Sequence, residues 1–240
     1  METFAGDFST LWTLNQRPPI EHLTWDWWWW LVMLDDDEHP MAGKQLMVLW
    51  STKENDHVHI NDVEWKPKGT PGFDDQGAIQ IDGMVCAWWF DGSVMHDEII
   101  AKVCDMVVLP SNHASWPGKE GQGGGAVVPL LEGDCSMGML PDRSQFWLNL
   151  DLEHEAVQSI QLKMTPWNPA MSTAREATAT YLGSLGYDIL RLHGTKVSGI
   201  IDGEDVSGTA YFQKVCVQAP SVPWYWGCLL YTSPSPRDVP

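Results

Sequence analysis

The chain has 240 residues, 44% of them hydrophobic, with 14 Lys plus Arg against 32 Asp plus Glu and a net charge of −18. So acidic a surface repels phosphate backbones and anionic lipid, which argues against nucleic-acid and peripheral membrane binding. At this length one fold buries roughly 70–75% of the surface its unfolded chain exposes, so one large domain, or one domain plus part of another, fits.

Residues 1–20 hold no basic segment followed by an apolar run, so no signal peptide is read there. The longest purely apolar run, 27–34, has eight residues, and a membrane helix needs about 20. The five cysteines, Cys86, Cys104, Cys135, Cys216 and Cys228, are odd in number and show no Cys-x-x-Cys spacing. Reduced thiols and a cytoplasmic location are the expectation.

Short apolar runs broken by turn residues dominate the chain. The first, 27–34, is followed by an acidic loop over 35–43 and a second run over 45–50, which predicts a hairpin. Runs 84–90 and 93–96 meet across Asp91-Gly92, a two-residue link that predicts a tight hairpin with positive φ at both positions. Residues 99–109 extend the sheet. The stretch 111–125, ending in Gly121-Gln122-Gly123-Gly124-Gly125, reads as a long loop. Runs 145–152 and 157–164 flank a turn over 153–156. Runs 187–192, 196–201 and 206–217 are separated by His193-Gly194-Thr195 and by Asp202-Gly203-Glu204-Asp205, and Trp224-Tyr225-Trp226 opens a last strand. About ten strands and no convincing helix predict an all-β fold, an antiparallel barrel or sandwich.

The run Asp26-Trp27-Trp28-Trp29-Trp30-Leu31-Val32-Met33-Leu34 has a consequence of its own. Successive side chains of a strand point to opposite faces. Trp25, Trp27, Trp29, Leu31 and Met33 therefore share one face, and Trp28, Trp30, Val32 and Leu34 the other. Both faces are apolar and both need cover. A barrel with an apolar lumen, its outer wall packed under loops or a second domain, meets that demand.

The ionisable candidates for chemistry are Asp91, His96 and His57. His57-Val58-His59 sets two imidazoles on one strand face, and zinc needs a further protein ligand that nothing nearby supplies. No metal is expected. His96-Asp97-Glu98 follows the Asp91-Gly92 turn and offers a general acid/base pair. Gly121–Gly125 lacks the Lys-Ser/Thr of a phosphate loop, and no cofactor is expected. Cys104 and Cys216 sit in apolar runs and read as core. The aromatic theme returns at Trp88-Trp89 and Trp224-Tyr225-Trp226. Tryptophan suits a ligand wall because it offers a rigid apolar face and one N–H donor.

Two stretches resemble known sequences. Val206-Ser207-Gly208-Thr209-Ala210-Tyr211-Phe212-Gln213, then Pro223-Trp224-Tyr225-Trp226-Gly227, with the Trp-rich run 25–30, resemble the AttH/hydroxyneurosporene-synthase family, which includes carotenoid 1,2-hydratases. The resemblance implies two lipocalin-like barrels in tandem: a first over 1–175 and the opening strands of a second over 176–227. It implies a missing second half that packs on this one. The family carries Asp, often with His, where this chain has Gln213 and Lys214, and glutamine exchanges no proton at neutral pH. Residues 228–238 resemble the translated end of a transposon-type sequencing adapter, so 228–240 is expected to be non-native.

Together these readings point to an apolar small molecule, isoprenoid or lipid-like, with one polar end. Its wall is expected to include Trp27, Trp29, Trp88, Trp89, Tyr211, Gln213, Trp224 and Trp226, with Gln213 orienting the polar end. A hydratase or isomerase is the alternative, and a structural barrel without ligand the second alternative.

Overall fold

Alternation decides the architecture. The computed structural model describes residues 20, 23–38, 43–53, 58–60, 63–65, 72–75, 79–108, 135–140, 144–167, 179–180 and 185–220. Among them are thirteen strands and no helix. They are β1 (Thr24–Leu34), β2 (Lys44–Lys53), β3 (Val58–Ile60), β4 (Val63–Trp65), β5 (Gly72–Phe73), β6 (Ile79–Phe90) and β7 (Met95–Val108). Then come β8 (Ser136–Met139), β9 (Phe146–Asp151), β10 (Ser159–Pro166), β11 (Ala179–Thr180), β12 (Gly186–Ile201) and β13 (Glu204–Gln218). The all-β antiparallel expectation holds.

Eleven strands form one sheet in the order β5-β6-β2-β1-β13-β12-β10-β9-β8, with β7 paired to β6 and β11 to β12; β3 and β4 pair separately. The sheet curls. Phe146 on β9 lies three ladder steps from Phe212 on β13, about 14 Å in a flat sheet. Their rings are 5.9 Å apart, and Phe146 is also 5.6 Å from Trp30. Those side chains therefore meet across a concave interior. Among the described residues no ladder joins β7 to β8, so the sheet stays open along that seam.

The concave face is a filled core. Trp28, Trp30 and Trp50 are at most 1% exposed and pack with Val32, Leu46, Val48, Phe146 and Phe212. Each buried Trp removes about 150–250 Å² from water, worth on the order of 4–6 kcal/mol as an upper estimate. Gly208 of β13 belongs to this packing: a Cβ there would lie 2.2 Å from the Met33 carbonyl oxygen. Glycine lets β13 lie close against β1.

Strands from either side of position 175, the boundary that the resemblance implies, pair within one sheet. Strand β13 is hydrogen-bonded to β1 on one side and to β12 on the other, and β12 in turn to β10. Chain order is not sheet order, and the C-terminal strands sit between N-terminal ones.

Three local expectations are corrected. His193-Gly194-Thr195 is no turn: β12 continues through it with a register shift between Leu192 and Thr195. Gly194 there faces the Trp167 ring, which a Cβ would meet at 2.4 Å, so glycine marks a bulge. The Asp91-Gly92 link is longer than two residues, because β6 ends at Phe90 and β7 begins at Met95. Only Gly92 takes positive φ, at 101°. The tight primed turn occurs instead at Asp202 (φ 49°) and Gly203 (φ 87°), joining β12 to β13. The stretch 111–125 and residues 224–240 lie outside the described residues. No helix of the described residues is long and apolar enough to cross a membrane, which says nothing of strands.

Candidate functional site

Cross-strand register assembles the site. On the convex face Trp29 of β1 pairs with Gln213 of β13 and Leu49 of β2, and Gln213 pairs with Arg191 of β12. One row therefore reads Arg191, Gln213, Trp29, Leu49, Cys86. The neighbouring row reads Tyr211, Leu31, Met47, Trp88. Trp25 and Trp27 continue the same face, with ring centroids 5.2 Å apart. Unlike the concave face, this one is partly exposed: Trp25, Trp27, Trp29, Leu31, Met33, Met47, Leu49, Trp88 and Tyr211 are all half-buried.

The polar groups are tied to the aromatic ones. Trp29 and Tyr211 meet edge to face at 5.8 Å. The Tyr211 hydroxyl donates to Gln213 Oε1 at 3.1 Å. That bond fixes the amide, and its NH2 remains as a donor. Burial pushes the Tyr211 phenol up, opposed by the charge of Arg191 and a hydrogen bond from it. The phenol therefore stays protonated, and a donor, at neutral pH.

Of the expected wall residues, the structure brings Trp27, Trp29, Trp88, Tyr211 and Gln213 onto this one face. Trp89 is on the other: it pairs with Leu46 and is 4% exposed within the core. The interior that the sequence reading made a lumen is packed, and Tyr211 and Gln213 point away from it. Trp224 and Trp226 lie outside the described residues.

The ionisable candidates gather elsewhere. His96 Nε2 and Asp91 Oδ2 are 2.8 Å apart. The Asp91 carboxylate also accepts the backbone N–H groups of Val94 at 2.7 Å and Ser93 at 2.8 Å. These two bonds, the Val94 one first, hold its carboxyl well below the usual carboxylate range. His96 meets His154 of the β9–β10 turn at 6.1 Å. His154 Nδ1 accepts the Ala156 N–H at 3.1 Å. The cluster spans two turns remote in sequence, at one end of the sheet. No hydrogen bond or ring contact joins it to the Trp29 row among the described residues. His57 lies outside the described residues.

Sequence reading missed two features. Asp26 and Lys214, both essentially buried, form an ion pair on the concave face. Lys214 Nζ also donates to the Val215 carbonyl at 3.1 Å and stands 5.0 Å over the Trp28 ring. Arg191 is the second. In each case the signal was a charged residue at an inward or half-covered position of an apolar strand. Cys216, read as core, is fully buried, and so are Cys86 and Cys135.

No family model matches the chain, and no curated protein does. Among solved structures the chain is similar to a provisionally assigned AttH protein from Nitrosomonas europaea, at 15% identity and a TM-score of 0.42. The likeness covers 84% of this chain and 54% of that one, so this chain spans about half the length of the protein it matches.

Proposed function

We propose that the protein holds an apolar small molecule with one polar end against the convex tryptophan face. The observation that supports this reading most is the assembly of Trp27, Trp29, Trp88, Tyr211 and Gln213 on one partly exposed surface, with the core packed separately behind it. Aromatic faces supply area, and area drives transfer from water at about 25 cal/mol per Å², less the cost of immobilising the ligand. Gln213, clamped by Tyr211, supplies a fixed donor for the polar end.

Binding is favoured over a hydratase or isomerase reaction by the placement of the acid/base groups. Asp91 and His96 sit at a hairpin end with His154, and among the described residues no hydrogen bond or ring contact ties the three to the Trp29 row. A general acid must come within hydrogen-bond reach of the proton it moves. The test is tryptophan fluorescence of the chain titrated with dodecanol. Saturable quenching that weakens in Trp29→Ala and persists in His96→Ala is expected. No response in folded protein overturns the reading, and substrate turnover that depends on His96 returns the hydratase alternative.

A further inference from the structure

We infer that the polar end of the ligand is a carboxylate, held by Arg191; this rests on the binding role proposed for the same face. Arg191 is half-buried on β12, directly opposite Gln213 in the ladder. Its guanidinium is near enough to the Tyr211 hydroxyl for its charge to oppose the upward push of burial on that phenol. Tyr211 in turn touches Trp29 and donates to Gln213. One cation, one phenol and one amide thus converge at the edge of an aromatic row.

Among the described residues Arg191 has no counter-ion, in a chain that has carboxylates to spare. The sequence holds 32 acidic residues against 14 basic ones. Two other cations have partners among the described residues, Lys44 on Asp36 and Lys214 on Asp26, whereas Lys102, Lys163 and Lys196 have none but are exposed to water. Among the described residues no carboxylate is ion-paired with Arg191. Its cross-strand neighbour is neutral, and the row beyond Gln213 is Trp29, Leu49 and Cys86. A half-buried guanidinium loses hydration, and an anion restores the lost interaction.

The geometry favours a carboxylate over a hydroxyl. A guanidinium presents five N–H donors in a planar fork, and a carboxylate accepts two of them side by side. The Gln213 NH2 is a further donor on the same row. A neutral alcohol uses one of these donors and leaves the charge uncompensated. The alkyl chain of the acid then runs from Gln213 across Trp29 and Leu49. The ligand class is an apolar monocarboxylic acid of fatty-acid type.

The experiment compares dodecanoic acid, dodecanol and dodecylamine in fluorescence titrations of the full chain at neutral pH. The acid is expected to bind at least tenfold tighter than the alcohol, and the amine more weakly than either. Added salt should weaken the acid and leave the alcohol unchanged. Arg191→Gln should abolish the acid's advantage while keeping alcohol affinity, which also shows that the variant is folded. Lys196→Gln removes an exposed cation on the same face and should change neither. Equal binding of acid and alcohol, or an advantage that survives in Arg191→Gln, overturns the carboxylate inference and leaves the binding role standing. Failure of all three ligands overturns the binding role itself.

Discussion

Strand β1 carries tryptophans on both faces, and the two faces have different fates. Trp28 and Trp30 are sealed inside the curled sheet, against Trp50, Phe146 and Phe212. Trp27 and Trp29, one residue away, remain half-buried among Tyr211, Leu49 and Trp88. The residue type is the same, so composition does not set the difference. Curvature does: concave side chains converge until they meet across the interior, and convex ones splay. The polar groups follow the same division. The concave face buries the pair Asp26–Lys214, whereas the convex face keeps Arg191 beside Tyr211 and Gln213.

The buried pair gives one of the two largest expected effects. Asp26→Ala leaves Lys214 buried without its partner, and should cost about 3–5 kcal/mol in urea unfolding. The double variant Asp26→Leu/Lys214→Met should recover most of that loss, because no charge is then left behind. A double variant as unstable as the single one would show that the site needs charge as such.

The two tryptophan faces can be compared next. Trp30→Ala removes a ring packed on Phe146 and Phe212, and should cost about 3–5 kcal/mol. Trp29→Ala should cost less than half as much, about 1–2 kcal/mol, in proportion to the smaller area it buries. Equal losses in denaturant midpoints would break the distinction between core and convex face.

Asp91→Ala is the smallest change, about 1 kcal/mol net for the turn bonds that it removes. Because the folded state holds the Asp91 carboxyl below its ordinary value, its contribution is fully present above about pH 4. It is lost as the pH falls further toward the folded value. The gap between wild type and Asp91→Ala in urea midpoints should narrow as the pH falls below about 4.

Much of the frame was legible in the sequence, since strand periodicity and turn residues are local signals. The hairpin between β1 and β2, and the one between β9 and β10, fall where the apolar runs and acidic turns put them. The two Asp-Gly pairs show the limit. At Asp202-Gly203 both residues adopt positive φ and the primed turn forms. At Asp91-Gly92 the aspartate carboxylate captures the Ser93 and Val94 N–H groups instead, and the loop lengthens. A dipeptide does not say which its side chain will do. The site was half legible. Trp29 is named from its residue type, and Tyr211 and Gln213 from the stretch 206–213 that carries the resemblance. That they face away from the interior depends on the direction of curl, which strand alternation leaves open. Arg191 and the Asp26–Lys214 pair depend on strand neighbours nearly 190 residues apart in the second case, and no local pattern carries that register.

Fluorine NMR of fluorotryptophan-labelled protein tests the division of the two faces most directly. Each resonance is assigned by a single Trp→Phe substitution, and the protein is then titrated with dodecanoic acid. The resonances of Trp27, Trp29 and Trp88 should shift in a saturable way, while those of Trp28, Trp30 and Trp50 stay in place. Shifts confined to Trp28, Trp30 and Trp50 would place the ligand in the interior and contradict the account.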